Sequence, residues 1–491
     1  MTAPLETEDY RSLLVSALPP AQDADTVEPT LFNLFTPDSH RLALHVDTTV
    51  VRGGRGVGKT FWCRSLLDTQ LRDVAAEEYR IERLRNLKVS PGYGAMLQPE
   101  LYPGAGELAS LVGSGVRAYD LWNAVLLVAL GQNELQGDME WTDRIAWVQA
   151  NPGARDRTIA RVDKQAQVDG LTHLVLFDAL EHLHQDRIQA DRLVAGILQL
   201  ALEMRLSTKN IRCKIFIRPD MFDGALLHFP DASKLTSNAA SLQWTITNLY
   251  GLFFHYLGNH ESPESAMFRS GTGNWTEHAG RHLPPSTLLG DQQLQASVFS
   301  DLAGPYMGAN YRKGITYTWL PNHLMDGVEQ VSPRSFLNAL SMAVDETRGK
   351  YASHTYAIYH EGIRKGVQSA SQTRVNEISE DMPWVRTVIA PLVGQQVPID
   401  QGLVLDLWQS AKLTAALVKE AARTNAGGSE TEVRTGPRYP DEHLRLIDEL
   451  IALGVMRRRK DGRIDLPDVY RIAFSIGRRG GVPKVQPQTA G

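Results

Sequence analysis

The stretch His45–Trp62, HVDTTVVRGGRGVGKTFW, constrains this chain more than any other. A β-branched run leads into a glycine-rich turn, and an apolar helical pattern follows it. Gly53, Gly58, Lys59 and Thr60 fill the spacing G-x-x-x-x-G-K-[ST] of a phosphate-binding loop. Without Cβ atoms, successive backbone N–H groups can turn inward toward phosphate oxygens, and the helix that begins there adds its positive N-terminal pole. Gly53, Gly54, Arg55, Gly56, Val57, Gly58, Lys59, Thr60 and Phe61 are therefore expected to cradle a nucleotide. Lys59 would reach the β- and γ-phosphates, and Thr60 would give its hydroxyl to Mg²⁺. The competing reading is a plain glycine turn.

A chain of 491 residues has room for two to four domains and a sizeable core. Its formal net charge of -5 argues against a protein that coats nucleic acid along its whole surface, while a local basic patch stays open. The two cysteines, Cys63 and Cys213, form neither a disulfide framework nor a metal-ligand spacing. That fits a reducing, cytoplasmic compartment. The first residues carry acids rather than a basic leader, and no apolar run approaches a membrane span, so neither a targeting segment nor a membrane partner is expected. The histidines show no HExxH spacing, and no nuclease or protease constellation is visible.

A second informative stretch, LTHLVLFDALEHL, runs from Leu171 to Leu183. A buried apolar run ending in an acid reads as a central parallel strand whose C-terminal end faces a ligand. Asp178 is then the Walker B acid, a ligand of Mg²⁺ directly or through water; alternatively it caps the next helix. Glu181, three residues on, polarises the attacking water or sits on a solvated helix face. A third apolar strand in IRCKIFIRPDMF ends at Ile217 and places Arg218 at the same sheet edge. Arg218 either senses the γ-phosphate or pairs with Asp220.

These motifs define an organisation. Residues 1–40 read as an N-terminal arm packed on the domain that follows, with an apolar patch at Leu31, Phe32, Leu34 and Phe35 near the adenine. Residues 41–240 form the core, with a helix from Phe61 to about Glu78 and an irregular connection over about 86–116. Residues 241–424 are a mainly helical middle and lid, with a long surface connection over 258–290. GPYMGANYRKGITYTWLPNHL, from Gly304, mixes aromatics with Arg312 and Lys313; buried aromatics beside snorkelling cations are the ordinary reading, base stacking the sharper one. Ser332 and Pro333 read as the N-cap and first position of a helix carrying Arg334 in its first turn. Residues 425–436 are a polar linker, and 437–491 suit a winged helix with an Asp461-Gly462 hairpin turn. From Gly454 to Lys484 nine Lys and Arg face three Asp, a local surplus of six.

GGRGVGKT, LVLFDALE and KIFIRPD together resemble the STAND and KAP-type branch of the AAA+-like P-loop ATPases, over roughly residues 42–225. The resemblance implies an α/β fold, a P-loop parallel-sheet core with a helical lid and a C-terminal winged helix. It also implies ATP and Mg²⁺ as ligands, and Arg334 as a second arginine that reads the γ-phosphate. No acid directly follows Asp178, where many related ATPases keep the water-activating glutamate. Unless Glu181 takes that role, the expectation shifts from a fast ATPase to a nucleotide switch. The implied function is an Mg²⁺-dependent ATPase or ATP switch that couples nucleotide state to assembly, as a homo-oligomer or with separately encoded proteins, as in bacterial anti-phage systems. Two alternatives stay open: an ATP-dependent DNA clamp that grips through the basic winged helix, and a scaffold that binds nucleotide without turnover.

Overall fold

The computed structural model describes residues 5–19, 27–184, 186–226, 232–426 and 436–480. The chain forms two compact units, one drawing on Met1–Pro37, Gln243–Arg423 and Gly436–Gly491, the other mainly on Asp38–Leu242.

The second unit is built on a five-stranded sheet: β1 (Val50–Arg52), β2 (Leu87–Tyr93), β3 (Thr172–Phe177), β4 (Ile211–Ile217) and β5 (Ala239–Ser241). The strand order is β2-β3-β4-β1-β5, and every pairing is parallel. In β3 the run LVLF is wholly buried, as expected of a strand covered on both faces. Helix Ala118–Ala129 packs on helix Arg187–Ser207, where the Trp122 indole N–H donates to Leu193 O at 2.8 Å. The Trp122 ring meets Phe177 of β3 edge to face, 5.8 Å between centroids. Lys214 of β4 is fully buried, yet its three ammonium hydrogens find three carbonyls, Ala43, His45 and Thr48, at 2.7–3.0 Å. Among the described residues no helix is long and apolar enough to cross a membrane.

Several sequence expectations change here. The helix expected from Phe61 to Glu78 is two helices, Lys59–Leu67 and Thr69–Glu78, because the Asp68 side chain accepts from Leu71 N at 2.9 Å and starts a new one. The irregular connection at 86–116 holds β2 and helix Ala105–Gly113. Pro91 disguised β2; it is tolerated because β2 is an edge strand with a free donor side. The surface connection at 258–290 contains helix Pro263–Thr272 and a small hairpin, Thr276–His278 with Arg281–Leu283.

The first unit is mainly helical. Its centre is the pair Pro333–Lys350 and His360–Asp381. Their backbones meet at Gly366, where a Cβ would lie 2.1 Å from Ala339 O. The N-terminal helix Thr7–Ala17 packs on Pro333–Lys350 of this pair and on helices Ile246–Asn259 and Pro263–Thr272. The arm therefore belongs to the helical unit, a correction to the sequence reading: its apolar residues Leu13 and Leu14 complete that unit's core. The patch after it follows, with Phe35 stacked 6.2 Å from Trp244 and the Arg281 guanidinium donating to Leu34 O.

A second cluster in the same unit gathers Val375, Trp384, Trp408, Leu446, Ile464 and Tyr470. It draws on both sides of the expected linker, of which residues 427–435 lie outside the described residues. Helix His443–Ala452 leads into the hairpin Arg457–Arg458 with Ile464–Asp465, turned at Gly462 with φ 83°. Ile399 bridges Ile464, and Gln396–Val397 pairs parallel with Gly477–Arg478.

Candidate functional site

Parallel pairing brings the C-terminal ends of all five strands to one edge of the sheet, and the motif residues follow those ends. The turn after β1 begins with Gly53 N donating to Ile217 O at 3.0 Å, which ties it to β4. A Cβ on Gly53 would lie 2.5 Å from Val57 Cγ2, and Gly56 and Gly58 take φ of 70° and 102°; the glycines are required by geometry. Gly58 sits immediately before helix Lys59–Leu67, so the helix N-terminus opens into the loop. That helix is braced from behind by the Trp62 indole N–H, which donates to the buried His40 Nδ1 at 3.0 Å.

Lys59 folds back over the loop, its Nζ donating to Gly53 O at 3.0 Å and Gly54 O at 2.9 Å. Burial lowers its pKa, and the charges of Glu181 and Asp178 oppose that shift. Asp178 ends β3, with its backbone N–H donating to Tyr93 O at 3.0 Å. It does not cap the following turn, which begins at Ala179 without a side-chain cap. The Thr60 hydroxyl and the Ala179 N–H lie near enough to its carboxylate to lower its pKa, while Oδ1 is buried without a hydrogen bond. Burial, reinforced by Glu181, pushes the Asp178 carboxyl up to about 6. Burial also raises Glu181, but Lys59 and Arg218 outweigh it and leave this carboxyl below its ordinary value. Glu181 is thus held ionised beside two cations.

Arg218 follows β4 as expected, and its fork is engaged: Nε donates to Asp220 Oδ1 at 3.0 Å and Nη2 to Oδ2 at 2.9 Å. Arg187 approaches the same carboxylate at 3.7 Å. The pairing with Asp220 is the competing reading of Arg218, and here it occupies the side chain's directed bonds. Arg334 lies in the other unit. Ser332 caps its helix, and Nη1 donates to Glu377 Oε1 at 2.9 Å. The sheet edge therefore assembles Lys59, Thr60, Asp178, Glu181 and Arg218, while Arg334 is held within the helical unit.

Sequence reasoning missed three neighbours. Tyr93, whose hydroxyl burial raises, feels the charge of Glu181; it was hidden in the stretch taken for irregular chain. Cys63 is buried close enough to Asp178 for that charge to raise its thiol further, after burial itself. Ala179 is left-handed, φ 56° and ψ 37°, between the two acids, and nothing in the sequence beyond its small size announces it.

The donor set fits Mg²⁺. A buried carboxylate oxygen without a hydrogen bond, beside a hydroxyl at the start of the loop helix, is costly unless a cation or its water shell completes it.

No family model and no curated protein matches the chain. Among solved structures it is similar to the ORC2 protein of Aeropyrum pernix in its ADPNP-ADP complexes, with 14% identity over 87% of this chain and 86% of that one and a TM-score of 0.40. The ADP form of that protein gives 13% identity over 87% and 84%, with a TM-score of 0.29. Cdc6p of Pyrobaculum aerophilum gives 10% over 86% and 84%, with a TM-score of 0.28. A likeness of this strength identifies neither ligand nor activity.

Proposed function

We propose that the protein is a nucleoside triphosphatase or nucleotide switch of the AAA+-like, STAND-related kind, acting on ATP in the cytoplasm and passing its nucleotide state to partner proteins or further copies of itself. One observation carries the reading: Asp178 Oδ1, at the end of β3 and close enough to Thr60 of the P-loop for that hydroxyl to lower its pKa, is buried without a hydrogen bond.

Thr60 and Asp178 would hold Mg²⁺, which when bound neutralises charge on the phosphate oxygens. The loop N–H groups from Gly53 to Thr60 and the helix N-terminus bind the phosphates. Lys59 exchanges its two loop carbonyls for the terminal phosphate, so the ammonium that ties the loop together also reads the phosphate. Glu181, ionised, accepts a hydrogen bond from the attacking water and orients it. Arg218 contributes its field from the salt bridge with Asp220, and Arg334 acts only when released from Glu377. An arginine committed to an acid suits a switch more than a fast ATPase.

Wild type, Lys59→Ala and Glu181→Gln are compared for Mg²⁺-ATP binding and turnover. Binding should weaken by on the order of 10²-fold in Lys59→Ala and be kept in Glu181→Gln, whose turnover should fall by on the order of 10²-fold. Binding unaffected by Lys59→Ala would sink the proposal.

A duplex grip through the basic C-terminal hairpin is disfavoured. Arg457, Arg458, Arg459, Arg463, Arg471 and Arg478 are each within 2.6–2.9 Å of an acid of the same unit. Six of the nine cations are thus held by acids, although only Glu329 and Asp448 lie outside the window and reduce its surplus, from six to four; Lys484 lies outside the described residues.

A further inference from the structure

The helical unit carries a surface loop that nucleotide chemistry leaves unused. Over residues 304–316 the chain doubles back, with an antiparallel bridge between Tyr306 and Ile315. Met307 N donates to Gly314 O at 2.9 Å, and Thr316 N to Pro305 O at 3.1 Å. The tip is one 3-10 turn, Tyr311–Lys313, closed by the Asn310 side chain, which accepts from Arg312 N at 3.1 Å. Gly314 takes φ 108°, and a Cβ there would lie 2.8 Å from the Trp319 ring. Arg364 of the neighbouring helix donates to Met307 O at 3.1 Å. The loop is fixed by its own backbone and by the unit beneath it, so a ligand would meet it already shaped.

This rigid loop displays side chains that a folded core would normally take in. Tyr311 is 66% exposed, Ile315 50% and Tyr306 38%. Arg312 and Lys313 are exposed at the tip, and among the described residues neither makes an ion pair. The Lys313 stem lies over Gly308, which leaves its ammonium in water. No Asp or Glu occurs from Leu302 to Met325, on a chain whose net charge is -5. The nearby Glu361 is bonded to Arg364 at 2.5 Å. Single exposed tyrosines are unremarkable. Two of them on a stiff loop with two uncompensated cations and no acid offer flat π-faces beside positive charge, which suits unpaired bases on a phosphate backbone.

We propose that loop 304–316 binds single-stranded nucleic acid, Tyr306 and Tyr311 stacking on bases while Arg312 and Lys313 contact phosphates. Duplex bases are already stacked on one another and offer the tyrosines no face. The proposal is independent of the ATP reading, because the loop needs no nucleotide to hold its shape.

Fluorescence anisotropy on the full chain without nucleotide tests it, with labelled single-stranded DNA and RNA of about 20 nucleotides and the matching duplex. A single strand should bind more tightly than duplex, and whichever of DNA or RNA binds better names the strand. Tyr311→Ala should weaken binding roughly ten-fold and Tyr311→Phe should keep it. Joint replacement, Arg312→Ser with Lys313→Ser, should lower the slope of log affinity against log salt by about 1.4 between about 50 and 200 mM. These residues are exposed, so thermal unfolding should not move, and Lys59→Ala should bind as wild type. The proposal is overturned if wild type binds no single strand, if duplex binds as tightly, or if Tyr311→Ala and the double variant stay within two-fold of wild type. Loss of binding in Tyr311→Phe as well would overturn the stacking.

Discussion

At the carboxyl edge of the sheet Lys59 meets two loop carbonyls and Asp178 keeps one carboxylate oxygen without a hydrogen bond. In the C-terminal module Arg459 lies on Asp465 and Arg471 and Arg478 on Asp468, all between 2.6 and 2.9 Å. Asp465 Oδ1 and Asp468 Oδ2 are, like Asp178 Oδ1, buried without a hydrogen bond, but Asp465 Oδ1 has the Arg478 guanidinium 3.2 Å away and Asp468 keeps two arginines on its other oxygen. Both regions concentrate charge out of water, but the second balances it with side chains of its own unit and the first leaves part of the balance to something absent from the chain. Incomplete compensation, rather than density of charge, separates a site from a structural network.

The largest effect should come from the incomplete region. Lys59→Ala should lower nucleotide affinity by on the order of 10²-fold while the unfolding free energy read from urea denaturation falls by about 1–2 kcal/mol. In the compensated region the two readouts should exchange places. Asp468→Ala leaves Arg471 without its acid and Arg478 with Asp465 alone, and stability should fall by about 3–5 kcal/mol with nucleotide affinity unchanged in the fraction that folds. Urea denaturation and equilibrium dialysis on both variants check the pair. Equal loss of stability in the two would erase the distinction.

This contrast was only half legible in the sequence. The placement of Gly53, Lys59, Thr60, Asp178 and Arg218 at one sheet edge was legible because each follows a strand end or lies in a turn, and local geometry writes itself into spacing. Pairings between distant residues do not. Nothing in MRRRKDGRIDL says that Arg457 and Arg458 are held by Glu329 and Asp448, because those contacts are made by tertiary structure. The same holds for Arg334 on Glu377, and for the N-terminal arm, whose apolar spacing shows a buried face but not what buries it. Strand β2 was missed for another reason: an edge strand tolerates a proline that would exclude a central one.

A pH series sharpens the comparison within the compensated region. Asp326 lines a small cavity with Arg457, Asp465, Asp468 and Arg478. Burial pushes its carboxyl from 3.8 up to about 6, against the charge of Arg374 and the backbone N–H groups of Gln330 and Val328. Between those two values the folded state binds the extra proton, so this group's contribution to stability declines as pH rises from 3.8 to about 6 and stays low above that. Asp326→Asn keeps an acceptor for Val328 and Gln330, at 3.0 and 2.9 Å, and removes the titration. Its stability relative to wild type should therefore improve by about 1–3 kcal/mol between pH 4 and pH 7, read from urea midpoints. A gap that does not widen with pH would mean that Arg374 already compensates the charge in full.

The smallest effect concerns how the incomplete region is held. Ala179 adopts φ 56° and ψ 37° between Asp178 and the short turn Leu180–His182 that carries Glu181. A left-handed non-glycine residue costs about 1–2 kcal/mol. Ala179→Gly removes that cost but adds freedom to the unfolded chain, so stability should change by less than about 1 kcal/mol. Turnover tells more. If the strand end and the turn together dictate the conformation, glycine will take it as readily as alanine and turnover will be unchanged, while Ala179→Val, which resists positive φ, will lose it. If Ala179→Gly itself lowers turnover with nucleotide affinity intact, the alanine Cβ is what restricts the turn, and the aim of Glu181 relative to Asp178 depends on a single methyl group.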